Sequence, residues 1–397
     1  MLKVTVLPGP EALLTLRAEW EALDECLVPR MPFTGPLWHE LWWRYYRRHS
    51  VVVRDEFLVC TVRDEEGRLV GVAPLMRTHH PGVGPFRLRE IQFFGADPNM
   101  TELRGVACRP ECQMEVLQSL SRYFGSNALG WNWFRWQGIR ADVPPPPIRS
   151  RTGGDFTWLR EVPDYILDLP STWEEFDKAC TSRVRKKLRS CYRLLERNGH
   201  AFRFHIVSDP SSVADALAAF YSLHTERTAV RSSDVFASSR ARKFLDEFCR
   251  FMADRDQLRI FEIKIQDVVV ATRIGFKLGK ELYLYHSGNA IAWDRYSIMT
   301  TLLAETIKSA IEQGYTLVNL STGNDRSKTR WRPREVKFVD GVEIAPGIVN
   351  AYLFAAFESI RNRLDRGVSW PFRTNGSIDG FGESRIGTAV ETTEDID

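Results

Sequence analysis

Leu258-Arg-Ile-Phe-Glu-Ile-Lys-Ile265, Val268-Val-Val-Ala-Thr-Arg-Ile-Gly-Phe-Lys277 and Glu281-Leu-Tyr-Leu-Tyr-His-Ser287 follow one another almost without interruption. β-Branched and aromatic side chains dominate all three, as in half-buried strands, and the Gln266-Asp267 break between the first two has the composition of a hairpin turn. Upstream, apolar residues at helical spacing predict helices over 212–228 and 239–254. Downstream, the pattern predicts a helix over 298–313 and a strand over 315–321.

Working outward, the same order occurs earlier in the chain. A Trp-rich helical segment over 11–48 precedes strand-like runs at 56–63 and 68–76, joined by the turn-like Asp64-Glu-Glu-Gly67. A strand over 88–94, a helix over 111–124 and an aromatic-alternating strand over 131–138 follow. Both halves read helix, three strands, helix, strand. This predicts an α/β protein with mixed α+β sheets, built as two tandem units over 1–148 and 149–350. The Pro-rich run 143–148 reads as a stiff connector between them. A helix and loop over 351–375 and an acidic, disordered tail over 376–397 complete the expected layout.

The 397 residues carry 54 Lys+Arg against 51 Asp+Glu, and a net charge of +3 is too small for a general nucleic-acid coat. Seven Cys without regular spacing argue against a disulfide framework and for a reducing compartment. Cys108 and Cys112 form a lone C-x3-C pair with no second half, so no metal is implied. The start, Met1-Leu-Lys-Val-Thr-Val6, has no signal-peptide pattern, and the longest near-apolar run, 348–357, is half of the ~20 residues a span requires. A cytoplasmic protein is expected. Motifs for P-loop, elbow-serine and zincin chemistry are absent, and His79-His80 and Gly82-Val83-Gly84 are weak signals.

Charge concentrates locally. Residues 171–199 read as one helix, with Ser171 and Glu174 as a capping box and Gly199 as its terminator. Val184, Leu188, Cys191 and Leu195 form an apolar stripe, against seven cations between Arg183 and Arg197, Arg185, Lys186 and Arg189 among them. Such a surface suits phosphate or pyrophosphate, which arginine grips through its planar fork. A solvated helix face is the simpler alternative. Further on, the strand ending at His286 opens into a loop and helix with Arg295, Tyr296 and Ser297 at the junction. Free amides at such a junction seat an anion. A second basic loop follows the strand over 315–321, with Asp325, Lys328 and Trp331. Tyr285, His286 and Asp325 have the chemistry of a general base or proton relay.

These pieces together resemble the GNAT-like acyltransferases of the CelD polysaccharide-biosynthesis type, which are related to the Fem peptidyltransferases. The resemblance is carried by Ser182-Arg-Val-Arg-Lys-Lys-Leu-Arg189, His224-x-x-Arg227, the run from Leu282 through Ser297, and Gly323-x-Asp325-x-x-Lys328-x-x-Trp331. In the first half it is carried by Trp20, Phe33 and the cluster around Trp38 and Trp43. The resemblance implies a tandem GNAT fold and transfer of an acyl group from acyl-CoA to an amine of an envelope or exopolysaccharide precursor. It implies catalysis by His286, Asp325 and Lys328, donor binding by Arg295, Tyr296 and Ser297, and acceptor binding by Arg185, Lys186, Arg189, His224, Arg227, Tyr285 and Trp331. The acceptor would be a nucleotide- or lipid-linked glycan, with no DNA and no membrane span involved. The family's glycine-containing pyrophosphate loop is missing, since Arg295-Tyr-Ser-Ile-Met299 has no glycine, and Asn319 stands where an acid is usual. A Fem-like enzyme using charged tRNA, and a degenerate transferase acting as a nucleotide- or protein-binding regulator, are the alternatives.

Overall fold

The computed structural model describes residues 2–81, 87–97, 99–125, 130–141, 156–231 and 234–367. The 143–148 connector, the glycines at 82–84 and the 376–397 tail fall outside the described residues.

The first half runs β1 (Lys3–Val6), α1 (Ala12–Asp24), α2 (Pro36–Tyr46), β2 (Arg54–Phe57), β3 (Cys60–Arg63), β4 (Leu69–Ala73), β5 (Leu75–His79), β6 (Arg89–Phe93), β7 (Ala107–Cys108), α3 (Gln113–Gly125) and β8 (Trp133–Arg140). The second runs β9 (Phe156–Asp168), α4 (Trp173–Ala179), α5 (Ser182–Arg197), β10 (Phe202–Val207), α6 (Val213–Arg231), α7 (Ser239–Asp254), β11 (Leu258–Ile265), β12 (Val268–Leu278), β13 (Glu281–Asn289), α8 (Ile298–Glu312), β14 (Leu317–Thr322), α9 (Arg326–Thr329), β15 (Arg334–Ile344) and α10 (Ile348–Gly367).

The architecture is mixed α/β, with GNAT-like units in tandem. Eleven strands, in the order β10-β11-β12-β13-β14-β9-β15-β8-β6-β5-β2, form one hydrogen-bonded sheet, and β1-β3-β4-β7 form a smaller one. Each half contributes one parallel pair that touches briefly and then separates, β6 with β8 and β13 with β14. β15 joins the halves, pairing along one edge with β9 and along the other with β8.

Several elements differ from the sequence reading. The runs expected over 56–63 and 68–76 each break in two, because their ends enter different sheets: β3 and β4 pair with each other, whereas β5 pairs with β2 and β6. Pro74, which has no N–H to give a ladder, sits at one break, and its carbonyl accepts from the Phe94 amide at 2.8 Å. The helix expected over 171–199 is two helices. Ser171 and Glu174 form no capping box; Thr172 caps α4 by accepting from the Glu175 amide, and Thr181 caps α5 by accepting from the Val184 amide. Val184, Leu188, Cys191 and Leu195 are buried as the stripe requires, and Gly199 has the left-handed φ of +71°. The short strands β1 and β10 and the long strands β9 and β15 were not anticipated. In β9, Arg160, Glu161 and Pro163 mask the period-2 pattern.

The two faces of the second-half sheet alternate as strand geometry demands. Ile166, Ile274, Phe276, Tyr283, Tyr285 and Val336 join one core with α1, α2, α6 and α7. Leu167, Phe261, Leu282, Leu284, Val318 and Leu320 join another with α5 and α8. The Trp-rich segment belongs to the first core rather than to a ligand cleft. Trp38 is fully buried, edge-on to Phe244 and Phe248 with ring centroids 4.8 Å apart.

Candidate active site

β13 and β14 pair only at Glu281↔Leu317, Leu282↔Val318 and Tyr283↔Asn319. Past Tyr283, β13 continues to Asn289 against β12 alone, while β14 shifts register and meets β9 again at Thr322↔Asp164. Ser321 takes a left-handed φ of 71° in that bend. The parting leaves backbone N–H and C=O groups of β13 facing a gap instead of a neighbouring strand, a ready set of ligand-binding groups.

On the side of the gap that faces the first half lies a mixed-charge cluster. Lys328 of α9 donates to the Ser321 hydroxyl at 2.9 Å and to the Thr322 carbonyl at 2.5 Å. Burial lowers the pKa of its ammonium, as does nearby Arg273, while Glu102 and Asp164 oppose the shift. Glu102 arrives from the first half, on the loop between β6 and β7. It accepts from the Tyr283 hydroxyl at 2.5 Å, and Ser321 and the Thr322 backbone also hydrogen-bond it. Burial raises its pKa against those bonds and against Lys328. Asp97 shapes this loop, accepting from the Met100 and Thr101 amides at 2.7 and 3.0 Å, the Thr101 hydroxyl at 2.6 Å and the Trp42 indole at 2.9 Å. Asp164 of β9 is completely buried. One of its oxygens accepts from the Asn319 side chain at 2.7 Å, and the other has no partner among the described residues. Burial pushes its carboxyl up to about 7. Asn319 of β14 thus faces a carboxylate supplied by the neighbouring strand β9.

On the opposite face α5, the start of α8 and the α9–β15 link enclose a cavity of about 680 Å³, within the ~300–1,000 Å³ of ligand pockets. Arg183, Lys186, Lys187, Arg326 and Arg330 line it, with Val184, Leu188 and Trp331 as its apolar wall and no acid. Arg330 donates to the Thr300 hydroxyl at 2.9 Å. Ser297, one turn earlier, has φ 54° and ψ 42°, the left-handed conformation that a glycine usually fills. The left-handed turn that opens α8 is thus built without glycine, and the Ser297 carbonyl accepts from the Thr300 amide at 2.8 Å. The size and charge of the cavity fit a phosphate-bearing ligand.

The structure brings together only some of the residues singled out from sequence. Lys186 and Trp331 line the cavity; Arg185 and Arg189 do not. Arg295 is exposed over the Tyr296 ring at 4.8 Å, and the Tyr296 hydroxyl pairs with His200 at 3.0 Å. His224 is held by Asp234 at 3.0 Å, and Arg227 donates to the Ser287 hydroxyl at 2.5 Å. Tyr285 donates to the Met100 carbonyl at 2.6 Å inside the core between the halves. Burial holds His286 down to about 3, and its Nε2 is buried without a partner among the described residues. Asp325 caps α9 by accepting from the Ser327 amide at 2.6 Å. Burial works against its charge, yet the Ser327 hydrogen bonds and nearby Lys328 and Arg227 hold its pKa below the usual value. Glu102, Asp164 and Arg273 were missed. Asp164 sits in an unrecognised strand, and Glu102 reaches the site only through tertiary folding.

Residues 182–329 match the acetyltransferase (GNAT) domain family. No curated protein matches the chain. Among solved structures, FemX superimposes with a TM-score of 0.52 at 11% identity, over 85% of this chain and 96% of that one. A conserved protein of unknown function from Bacteroides thetaiotaomicron gives a TM-score of 0.50 at 11% identity, over 87% of this chain and 100% of that one. Residues 182–329 thus carry a GNAT acetyltransferase domain, which supports an N-acyltransferase. Among the described residues no helix is long and apolar enough to cross a membrane, and no cluster of His, Cys, Asp or Glu could hold a metal ion.

Proposed function

We propose that the protein transfers an acyl group from acyl-CoA to an amine of an envelope or exopolysaccharide precursor, acting in the cytoplasm. The acid-free cationic cavity between α5, the start of α8 and the α9–β15 link carries this reading, in a fold whose β13 and β14 part after Tyr283. The donor's phosphates lie against Arg183, Lys186, Lys187 and Arg330, beside the turn at Arg295, Tyr296 and Ser297, and its pantetheine arm enters the gap past Trp331. Backbone N–H groups of β13 beyond Tyr283 stabilise the oxyanion that forms as the amine attacks. Lys328 lies at the far side of the gap, where its ammonium offsets negative charge.

The acceptor is a small amino sugar, free or linked to a nucleotide or lipid. Incubation with radiolabelled acetyl-CoA and a panel of UDP-amino sugars tests this: transfer to one or more of them is the expected result. No transfer with any pairing, together with no calorimetric binding of acetyl-CoA, would remove the proposal. Stable co-purification with tRNA would point instead to an aminoacyl donor.

A further inference from the structure

The cavity accounts for the donor and leaves the polar cluster where β13 and β14 part unexplained. There, on the face that meets the first half, Asp164, Glu102 and Lys328 gather around the end of β14. We propose that this cluster is the acceptor-amine site and that Asp164 is the base that takes the amine's proton. This inference rests on the acyl transfer proposed above.

Three observations lead to it. First, the Asp164 carboxylate is wholly buried, yet one oxygen lacks a side-chain or backbone partner among the described residues. An unmet buried acceptor is costly, and an N–H donor brought by a ligand would satisfy it. Second, the cluster lies across the sheet from the cavity. Asp164 and Asn319 fall on the same strand face as Ile166 and Tyr283, whereas Val184 and Leu188 of the cavity wall belong to the opposite core. A thioester reaching in from the cavity and an amine held at Asp164 would therefore meet in the gap. Third, the surrounding charges suit an ammonium that must become an amine. Glu102 from the first half and Asp164 from β9 attract the cation. Lys328 from α9 and Arg334 from β15 oppose it, and the Tyr283 hydroxyl from β13 completes the group facing Asp164. Burial pushes the Asp164 carboxyl up to about 7, the range in which a carboxylate works as a base at neutral pH.

The step balances as follows. The ammonium gives one proton to the Asp164 carboxylate. The neutral nitrogen then bonds to the thioester carbonyl carbon, the C–S bond breaks, and the departing thiolate takes the second nitrogen proton to leave as thiol. Asp164 returns its proton to solvent.

Asp164→Asn tests this against wild type, using acetyl-CoA and the fastest UDP-amino sugar. The expected result is a kcat lower by about 10²- to 10⁴-fold with calorimetric acetyl-CoA affinity unchanged. The wild-type rise of kcat with pH through about 7 should disappear in the variant. Stability supplies a separate readout. The folded pKa lies above the unfolded value of 3.8, so this group's contribution is present at low pH and lost as pH rises through about 7. The Asn variant should accordingly melt at or above wild type at alkaline pH, so that a loss of kcat there is not a loss of fold. Should the Asn variant not fold, Asp164→Glu must move the kcat inflection, which the amine's own ionisation would not do. If wild type binds and transfers but Asp164→Asn keeps its kcat and pH profile, or the Glu variant leaves the inflection in place, the base assignment falls and the transferase reading stands. If wild type neither binds nor transfers, both fall.

Discussion

In the first half β6 and β8 run parallel through Glu90↔Trp133 and Ile91↔Phe134 and then separate, as β13 and β14 do after Tyr283↔Asn319. Phe93, Phe94, Phe134 and Trp136 are all fully buried around that first parting. Phe134 stacks on Trp136 with centroids 3.9 Å apart, and Phe94 stacks on Trp43 at 5.0 Å. In the second half the corresponding place holds Asn319, Ser321, Asp164 and Lys328, and a cationic cavity lies on the other face of the sheet. One strand topology has yielded a core in one copy and a site in the other; the lining side chains decide which. The closed copy still reaches the open one, because the loop leaving β6 delivers Glu102 to Tyr283 and the Met100 carbonyl to Tyr285.

The largest test of this contrast is Phe134→Ala. If aromatic packing closes the first parting, truncation leaves a cavity in a dry core and should cost about 4 kcal/mol in urea unfolding. A loss under about 1 kcal/mol would mean that the first gap is loosely filled and the two copies are less different than they look. Gly288→Ala should come next. A Cβ there would stand 2.5 Å from the His224 amide nitrogen and 2.7 Å from the Leu223 carbonyl carbon, both backbone. The close approach of α6 to β13 thus depends on glycine, and about 2 kcal/mol should be lost. Thermal melting would register it, with acyl transfer falling too, because β13 is the wall of the gap.

The same contrast explains what the sequence could disclose. The strands from Leu258 to Ser287 were legible because β-branched and aromatic residues dominate them, and helix α7 because its apolar residues keep a helical period. The stripe Val184, Leu188, Cys191 and Leu195 fixed the buried side of α5 for the same reason. The partition at Thr181 was not legible, because a threonine cap inside a helical pattern looks like an ordinary polar position. Nor was most of the site. Asp164 belongs to β9, whose Arg160, Glu161 and Pro163 hide the strand period, and Glu102 lies far from Lys328 along the chain. Asp325 attracted attention by its motif but is occupied as a cap, and Tyr285 is occupied by a backbone carbonyl. Motifs reveal residue types at a junction; which of them remain free depends on partners that only the fold supplies.

A smaller effect should follow from reversing charge in the open copy. Lys186→Glu with Lys187→Glu places two acids on the cavity wall and should weaken acetyl-CoA binding about tenfold at low salt, with the difference narrowing as salt screens the cavity. Arg197→Glu, at the far end of the same helix and outside the lining, changes the net charge by two per site and should shift affinity less than about twofold. Equal effects from the two sites would reduce the cavity to a general field of the basic helix, and the contrast between a site and a solvated face would be lost.

The finest test lies in the turn at Ser297. With φ 54° and ψ 42°, this serine holds a backbone conformation that costs an L-residue about 1 kcal/mol and a glycine almost nothing. Ser297→Gly should therefore stabilise the fold by roughly 0.5 kcal/mol, the relief of strain being partly offset by the greater freedom of glycine in the unfolded chain. Ser297→Val places a β-branched side chain where it fits worst, so the turn should open, stability should drop by about 1 kcal/mol and acetyl-CoA affinity should fall about threefold. Melting temperature and calorimetry separate the two effects. If valine disturbs stability without touching affinity, the start of α8 does not face the donor's phosphates, and the open copy binds them through its side-chain cations alone.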